Sequence, residues 1–271
     1  MNRKSLFSWE EFEDEILKLI AIKNEAGVGG GYMPSLLYRG QACSGWDLVT
    51  TLERHAGKSR VELQNYYRVI SEIKPQINSL SGSMWDIPTQ SDYLTWLNTT
   101  ECRAIKYPAY GYIACLRHHG FPSPLLDWTR SRLVAAYFAF ADVTKNKSGF
   151  VSIYVFWDYP KEITMTAQNI PHIRRRGPNV ATDKRHALQE SEYTICCENI
   201  YEANVNKWVY APHEEAIMDN CNGFLWEFNI SVKEHLKVLR LLDKQNINAS
   251  TLFGDENSFI DQLICRGLKF A

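Results

Sequence analysis

Three short stretches carry side chains whose types and spacing allow chemistry. The first is Leu37-Tyr38-Arg39-Gly40, followed by Trp46-Asp47-Leu48 and Thr50-Thr51-Leu52-Glu53-Arg54. An arginine at a strand end can offer its planar fork to a phosphate or carboxylate, and the missing side chain at Gly40 lets a ligand approach the backbone. The competing reading pairs Arg39 with a carboxylate such as Asp127 to brace the fold. The second stretch runs from Arg117 through His118, His119, Gly120, Phe121, Pro122, Ser123, Pro124, Leu125, Leu126, Asp127 and Trp128 to Thr129. It reads as a fixed irregular loop dense in hydrogen-bonding groups. Adjacent side chains diverge, so one of His118 and His119 at most is expected to face a ligand. Alternatively the loop is structural, with Trp128 a core aromatic whose Nε1 is satisfied internally.

The third stretch joins His172-Ile173-Arg174-Arg175-Arg176 to Lys184-Arg185-His186. Four arginines, one lysine and two histidines between 172 and 186 form a concentrated positive patch in a chain of net charge -1. Such a patch faces phosphates or is a solvated loop. Directly after it come Gln189-Glu190-Ser191-Glu192-Tyr193, where a carboxylate could meet a ligand held by Arg39. A metal centre is not expected, because His172, His186 and His213 would be ligands only by default.

The bulk numbers bound the rest. The 271 residues are 45% hydrophobic and 23% charged, values of an ordinary globular chain with no apolar run long enough to span a bilayer. Acidic residues enter the first fifteen positions before any apolar run, so no secretory signal is expected and the reading is cytoplasmic. Seven cysteines lack CxxC and zinc-finger spacings and read as reduced thiols.

The elements that must position these residues follow from periodicity. A capping box at Ser8 to Glu11 starts a helix with Phe12, Ile16, Leu19 and Ile20 on one face, closed by the glycines at 27 and 29–31. Residues 34–40 read as a short strand entering a turn. Helices are expected over 58–74, stopping before Pro75, and over 90–105, 110–117 and 131–141; the last is apolar nearly all round and therefore central. Residues 149–157, 193–197 and 223–230 read as strands, and 232–244 and 256–266 as closing helices. No linker or repeat divides the chain, which points to one α+β domain: a central mixed or antiparallel sheet flanked by helices, with residues 1–29 as a helix packed on the remainder.

Taken in order, Leu37-Tyr38-Arg39-Gly40-Gln41, Trp46-Asp47-Leu48, His118-His119-Gly120, Leu125-Leu126-Asp127-Trp128-Thr129, Ala135-Ala136-Tyr137-Phe138-Ala139 and Arg185-His186 leading to Gln189 resemble the FRG domain family. That likeness covers about residues 30–200, and the domain is expected over 30–271. The layout also resembles the arginine-first ADP-ribosyltransferases. The resemblance implies a transferase-like fold that uses NAD as substrate and needs no metal. Its catalytic residues would be Arg39 with Glu192, Glu190 or Gln189. Tyr38, Gly40, His118, His119, Gly120, Asp127, Trp128, Thr129 and Tyr193 would surround the dinucleotide. Arg174, Arg175, Arg176, Lys184 and Arg185 would meet a phosphate-bearing acceptor, RNA, DNA or a protein. A toxin-like effector in bacterial defence, with a cognate antitoxin, is the biological form this implies. The alternative is a non-catalytic module binding a nucleotide or nucleic acid. Phosphodiester hydrolysis by a His and Asp pair ranks last, since no further catalytic partner can be named.

Overall fold

Side chains near helix ends supply hydrogen bonds that the first turn lacks. Ser8 Oγ accepts from the Glu11 amide at 3.2 Å, while Glu11 Oε2 reaches the amide of Phe7 rather than that of Ser8. Thr50 and Glu53 close a reciprocal box at the next helix, an arrangement repeated at Asn248 and at Asp255. In the computed structural model the described residues are 2–27, 34–57, 60–82, 84–98, 107–144, 146–158, 169–177, 184–202, 205–218 and 224–270.

The order is β1 (Asn2–Leu6), α1 (Trp9–Ala26), β2 (Leu37–Gln41), α2 (Thr51–His55), β3 (Val61–Glu62), α3 (Leu63–Ser81), α4 (Gln90–Asn98), α5 (Tyr110–His118), β4 (Leu125–Thr129) and α6 (Arg132–Phe140). It continues with β5 (Phe150–Trp157), β6 (His172–Arg176), α7 (Lys184–Leu188), β7 (Ser191–Glu202), β8 (Val205–Tyr210), α8 (His213–Met218), β9 (Phe224–Ser231), α9 (His235–Lys244), α10 (Ala249–Phe253) and α11 (Glu256–Ile264). The strands form one mixed sheet in the order β1-β9-β5-β2-β4-β7-β8-β3, with β6 paired to β7. β1 runs parallel to β9, and the other strand pairs among the described residues are antiparallel. This is an α+β architecture.

Two helical layers cover different parts of the sheet. Phe12 and Ile16 of α1, Ala135 and Ala139 of α6 and Val238 of α9 pack on Val151, Ile153 and Val155 of β5. Tyr66, Tyr67 and Ile70 of α3, Tyr93 of α4 and Ile113 of α5 pack with Leu125, Tyr193 and Ile195. Between these halves the sheet is held by one register pair, Tyr38 with Thr129. β2 pairs with β5 along its whole length, and β4 does the same with β7.

Several expectations need correction. The stretch expected as an irregular loop over 117–129 ends in a strand, Leu125–Thr129, whose backbone pairs with β7. The helix over 58–74 starts at Leu63 and passes through Pro75 to Ser81. Proline removes one hydrogen bond there, and burial of Leu63, Tyr66, Tyr67 and Ile70 offsets it. The basic run 172–176 is a strand rather than a loop. The helix expected over 232–244 begins with a 3-10 turn, and that over 256–266 ends in a π turn at Cys265–Lys269. The strand at 193–197 extends over Ser191–Glu202. β1 and β8 carry no strand pattern in the sequence: β1 exposes four of its five residues, so it lacks the alternation that marks a strand. Glycines 29–31, residues 99–105 of the expected helix, and Cys102 and Cys221 lie outside the described residues. Among the described residues Cys43, Cys115, Cys196, Cys197 and Cys265 are free thiols, and no helix is long and apolar enough to cross a membrane.

Candidate functional site

Where β2 and β4 separate, a cleft of about 980 Å³ opens. β2 supplies Tyr38, Arg39, Gly40 and Gln41; α2 and the loop before it supply Trp46, Asp47, Thr51 and Arg54. α5 adds Arg117 and His118, β4 adds Asp127, Trp128 and Thr129, and the far wall carries Arg185, Gln189, Ser191, Tyr193 and Phe253. Residues up to 215 positions apart in sequence thus share one concavity.

Arg39 donates from Nη1 to the Asp127 carbonyl at 3.0 Å, and the Asp127 carboxylate lies 4.0 Å away. Its Nε is buried without a hydrogen-bond partner among the described residues. Burial brings the guanidinium pKa down to about 10; Asp127 opposes that shift, and the positive charges of Arg117 and Arg54 add to it. The group stays charged at neutral pH. Asp127 is bound through both oxygens by Arg117 Nε and Nη2, and Arg117 Nη1 donates to Thr51 Oγ1 at 3.0 Å. Burial alone would raise the Asp127 pKa, but the pairing with Arg117, helped by Arg39 and His118, holds it below the ordinary carboxylate value. The bracing carboxylate is therefore engaged mainly by Arg117. Arg39 and Arg54 add positive charge that it does not neutralise.

His118 borders the cleft, with Nε2 3.0 Å from the Tyr193 hydroxyl. His119 and Gly120 are exposed at the end of α5, where Gly120 takes φ 84° and stops the helix; neither borders the cleft. The Tyr193 ring contacts those of Tyr110, His118 and His186, and burial raises its pKa so that the hydroxyl stays protonated. Trp128 touches the cleft, yet its ring packs on Phe156 and its Nε1 donates to Thr194 Oγ1 at 2.8 Å. It is a core aromatic. Thr129 Oγ1 donates to the Gln189 carbonyl at 2.7 Å, which fixes that residue at the cleft wall.

Gly40 borders the cleft and is also required for packing. A Cβ there would sit 1.9 Å from the Ala135 carbonyl oxygen, so the glycine lets the backbone of α6 lie against β2. The two glutamates also diverge from the expected site. Glu192 is 2% exposed and is bound by Arg175 through Nε and Nη2, the latter at 2.7 Å. Side chains alternate along β7, so Ser191 and Tyr193 face the cleft while Glu192 faces away. Glu190 adopts φ 47° and lies 4.0 Å from Arg130, also outside the cleft. Of the three, Gln189 alone borders it.

The basic patch disperses once folded. Arg175 is spent on Glu192 and Ser35, Arg176 is buried over the Tyr107 ring, and Lys184 donates to the Gly254 carbonyl. Arg174 is half-buried on β6 and does not border the cleft. Arg185 pairs with Asp255 and lies over the Phe253 ring at the cleft rim. The signal for Arg117 and Arg54 lay in the sequence only as charges beside the motifs; what unites them with Arg39 is the sheet.

Tyr38, Arg39 and Gly40 thus share a cleft with Asp127, Trp128 and Thr129. Residues 34–148 match the FRG domain. No curated protein and no solved structure matches the chain. The FRG stretch contributes Arg39, Arg54, Arg117, Asp127 and His118. Arg185, Gln189, Ser191, Tyr193 and Phe253 come from beyond it.

Proposed function

We propose that the cleft binds a nucleotide through its phosphates, with NAD as the ligand. The observation that carries this reading is the convergence of Arg39, Arg54 and Arg117 on one cleft in which the Asp127 carboxylate is already held by Arg117, with Asp47 and Asp142 on the same lining. Converging guanidinium groups suit a pyrophosphate, which accepts several charge-assisted hydrogen bonds. The volume lies toward the upper end of the roughly 300–1,000 Å³ usual for small-molecule pockets.

ADP-ribosyl transfer to a protein or nucleic-acid acceptor is the second reading, favoured by the Gln189 carboxamide at the cleft wall. The C–N bond to nicotinamide would break through an oxocarbenium-like state, and the acceptor would take the ribosyl carbon while losing its proton. Gln189, whose Nε2 donates to the Leu252 carbonyl, Tyr193 and Asp127 border that space, whereas Glu192 does not. Unchecked NAD consumption harms a cell, which is the basis for a toxin-like effector restrained by a cognate antitoxin.

Calorimetric titration tests the reading. The full chain should bind NAD and ADP-ribose, and Arg39→Ala should weaken both about 10- to 100-fold, the range set by a charge-assisted hydrogen bond of roughly 1.5–3 kcal/mol. Affinity should also fall as salt rises. Absence of binding by the unaltered chain overturns the proposal. Release of nicotinamide, lost in Arg39→Ala and kept in Glu192→Gln, would favour transfer over binding alone.

A further inference from the structure

Gln41 stands two residues after Arg39 on β2, so the two side chains leave the strand on the same side, and both border the cleft. Gln41 is 6% exposed. Its Nε2 donates to the Asp47 carbonyl at 3.3 Å, which fixes the orientation of the amide, since a carbonyl can receive only the NH2 end. The Oε1 is then left as a buried acceptor with no partner among the described residues. A buried acceptor without a partner is unfavourable, and that cost is recovered when a donor is brought to it. Beside it on the chain, Trp46 borders the same cleft with 45% of its surface exposed. An indole left open at a cleft wall is suited to stacking on a planar group.

Resting on the nucleotide reading above, we infer that Gln41 and Trp46 form the specificity wall of the cleft: Gln41 Oε1 accepts an N–H or O–H of the nucleoside part, and Trp46 stacks on its base. The arginines hold phosphate whatever is attached to it. The Gln41 wall distinguishes a nucleotide from a bare phosphate compound, because a site built to satisfy a polar group rejects a ligand that lacks it.

Binding of inorganic pyrophosphate and of ADP-ribose to the full chain separates the two layers of this reading. Gln41→Leu and Trp46→Leu should each weaken ADP-ribose at least 10-fold while changing pyrophosphate by less than 2-fold, and ADP-ribose should quench indole fluorescence less in Trp46→Leu. Retained pyrophosphate binding also reports that the variants fold. Equal loss for both ligands, or unchanged ADP-ribose affinity, overturns the specificity wall while leaving the anion site intact. If the unaltered chain binds neither ligand, the nucleotide reading itself fails, and this inference with it.

Discussion

His213 is 1% exposed, with Nε2 3.0 Å from Thr194 Oγ1. Burial, reinforced by the nearby charge of Arg39, brings its pKa down to about 3. A histidine in the unfolded chain titrates near 6.5, so between those values the unfolded state binds the extra proton. Stability from keeping His213 neutral is full above about pH 6.5 and is lost as pH falls toward about 3, on the order of 5 kcal/mol in all. Urea midpoints measured from pH 4 to 7 should fall with acid, and His213→Gln should flatten that slope. An unchanged slope would place the acid sensitivity elsewhere. Asp127 acts in the same direction at lower pH, because its depressed pKa means its contribution disappears only below the ordinary carboxylate range. The acid-labile residues therefore flank Arg39, and loss of ligand binding in acid should accompany loss of fold.

At the scale of elements, β7 decides what the cleft contains. Its register with β4 sets Asp127 opposite Tyr193 and Trp128 opposite Glu192, and the period of two then sends neighbouring side chains to different environments. Glu192 ties β7 to β6 through Arg175, both side chains being largely buried. Removing one partner of such a pair leaves a buried charge, so Glu192→Gln should lower stability by about 3 kcal/mol. ADP-ribose affinity of the folded fraction should stay within 2-fold. Binding abolished without loss of stability would return Glu192 to the site. Legibility differed by element for the same kind of reason. α1, α6, β5 and β9 announce themselves because one face or the whole element is buried, which leaves an apolar pattern. β4 did not, since Leu125–Thr129 follow Pro122 and Pro124 and their strand state depends on β7, some sixty residues later.

For the molecule as a whole, β1 closes one edge of the sheet against β9, where Arg3 Nε donates to Glu227 Oε2 at 2.7 Å. Glu227 is fully buried, and the Ser152 hydroxyl, 2.6 Å from Asn229 Oδ1, lies 3.3 Å from its Oε1. Deleting residues 1–6 would unpair the β9 edge and leave that carboxylate without its arginine. Stability should fall by about 3 kcal/mol or more, with self-association visible by light scattering, since an open edge templates strand addition. A monodisperse variant of unchanged stability would contradict this role for β1. The sequence by itself determined the α+β class, the buried helices, and the motif residues Tyr38, Arg39, Asp127 and His118, because burial patterns and reactive side-chain types are local properties. The tertiary structure alone decided which of them meet: it joined Arg117 to Asp127, turned Glu192 away from Arg39 and brought Gln189 in. A cleft is made where two strands part company, and that separation is a property of sheet pairing across distant segments.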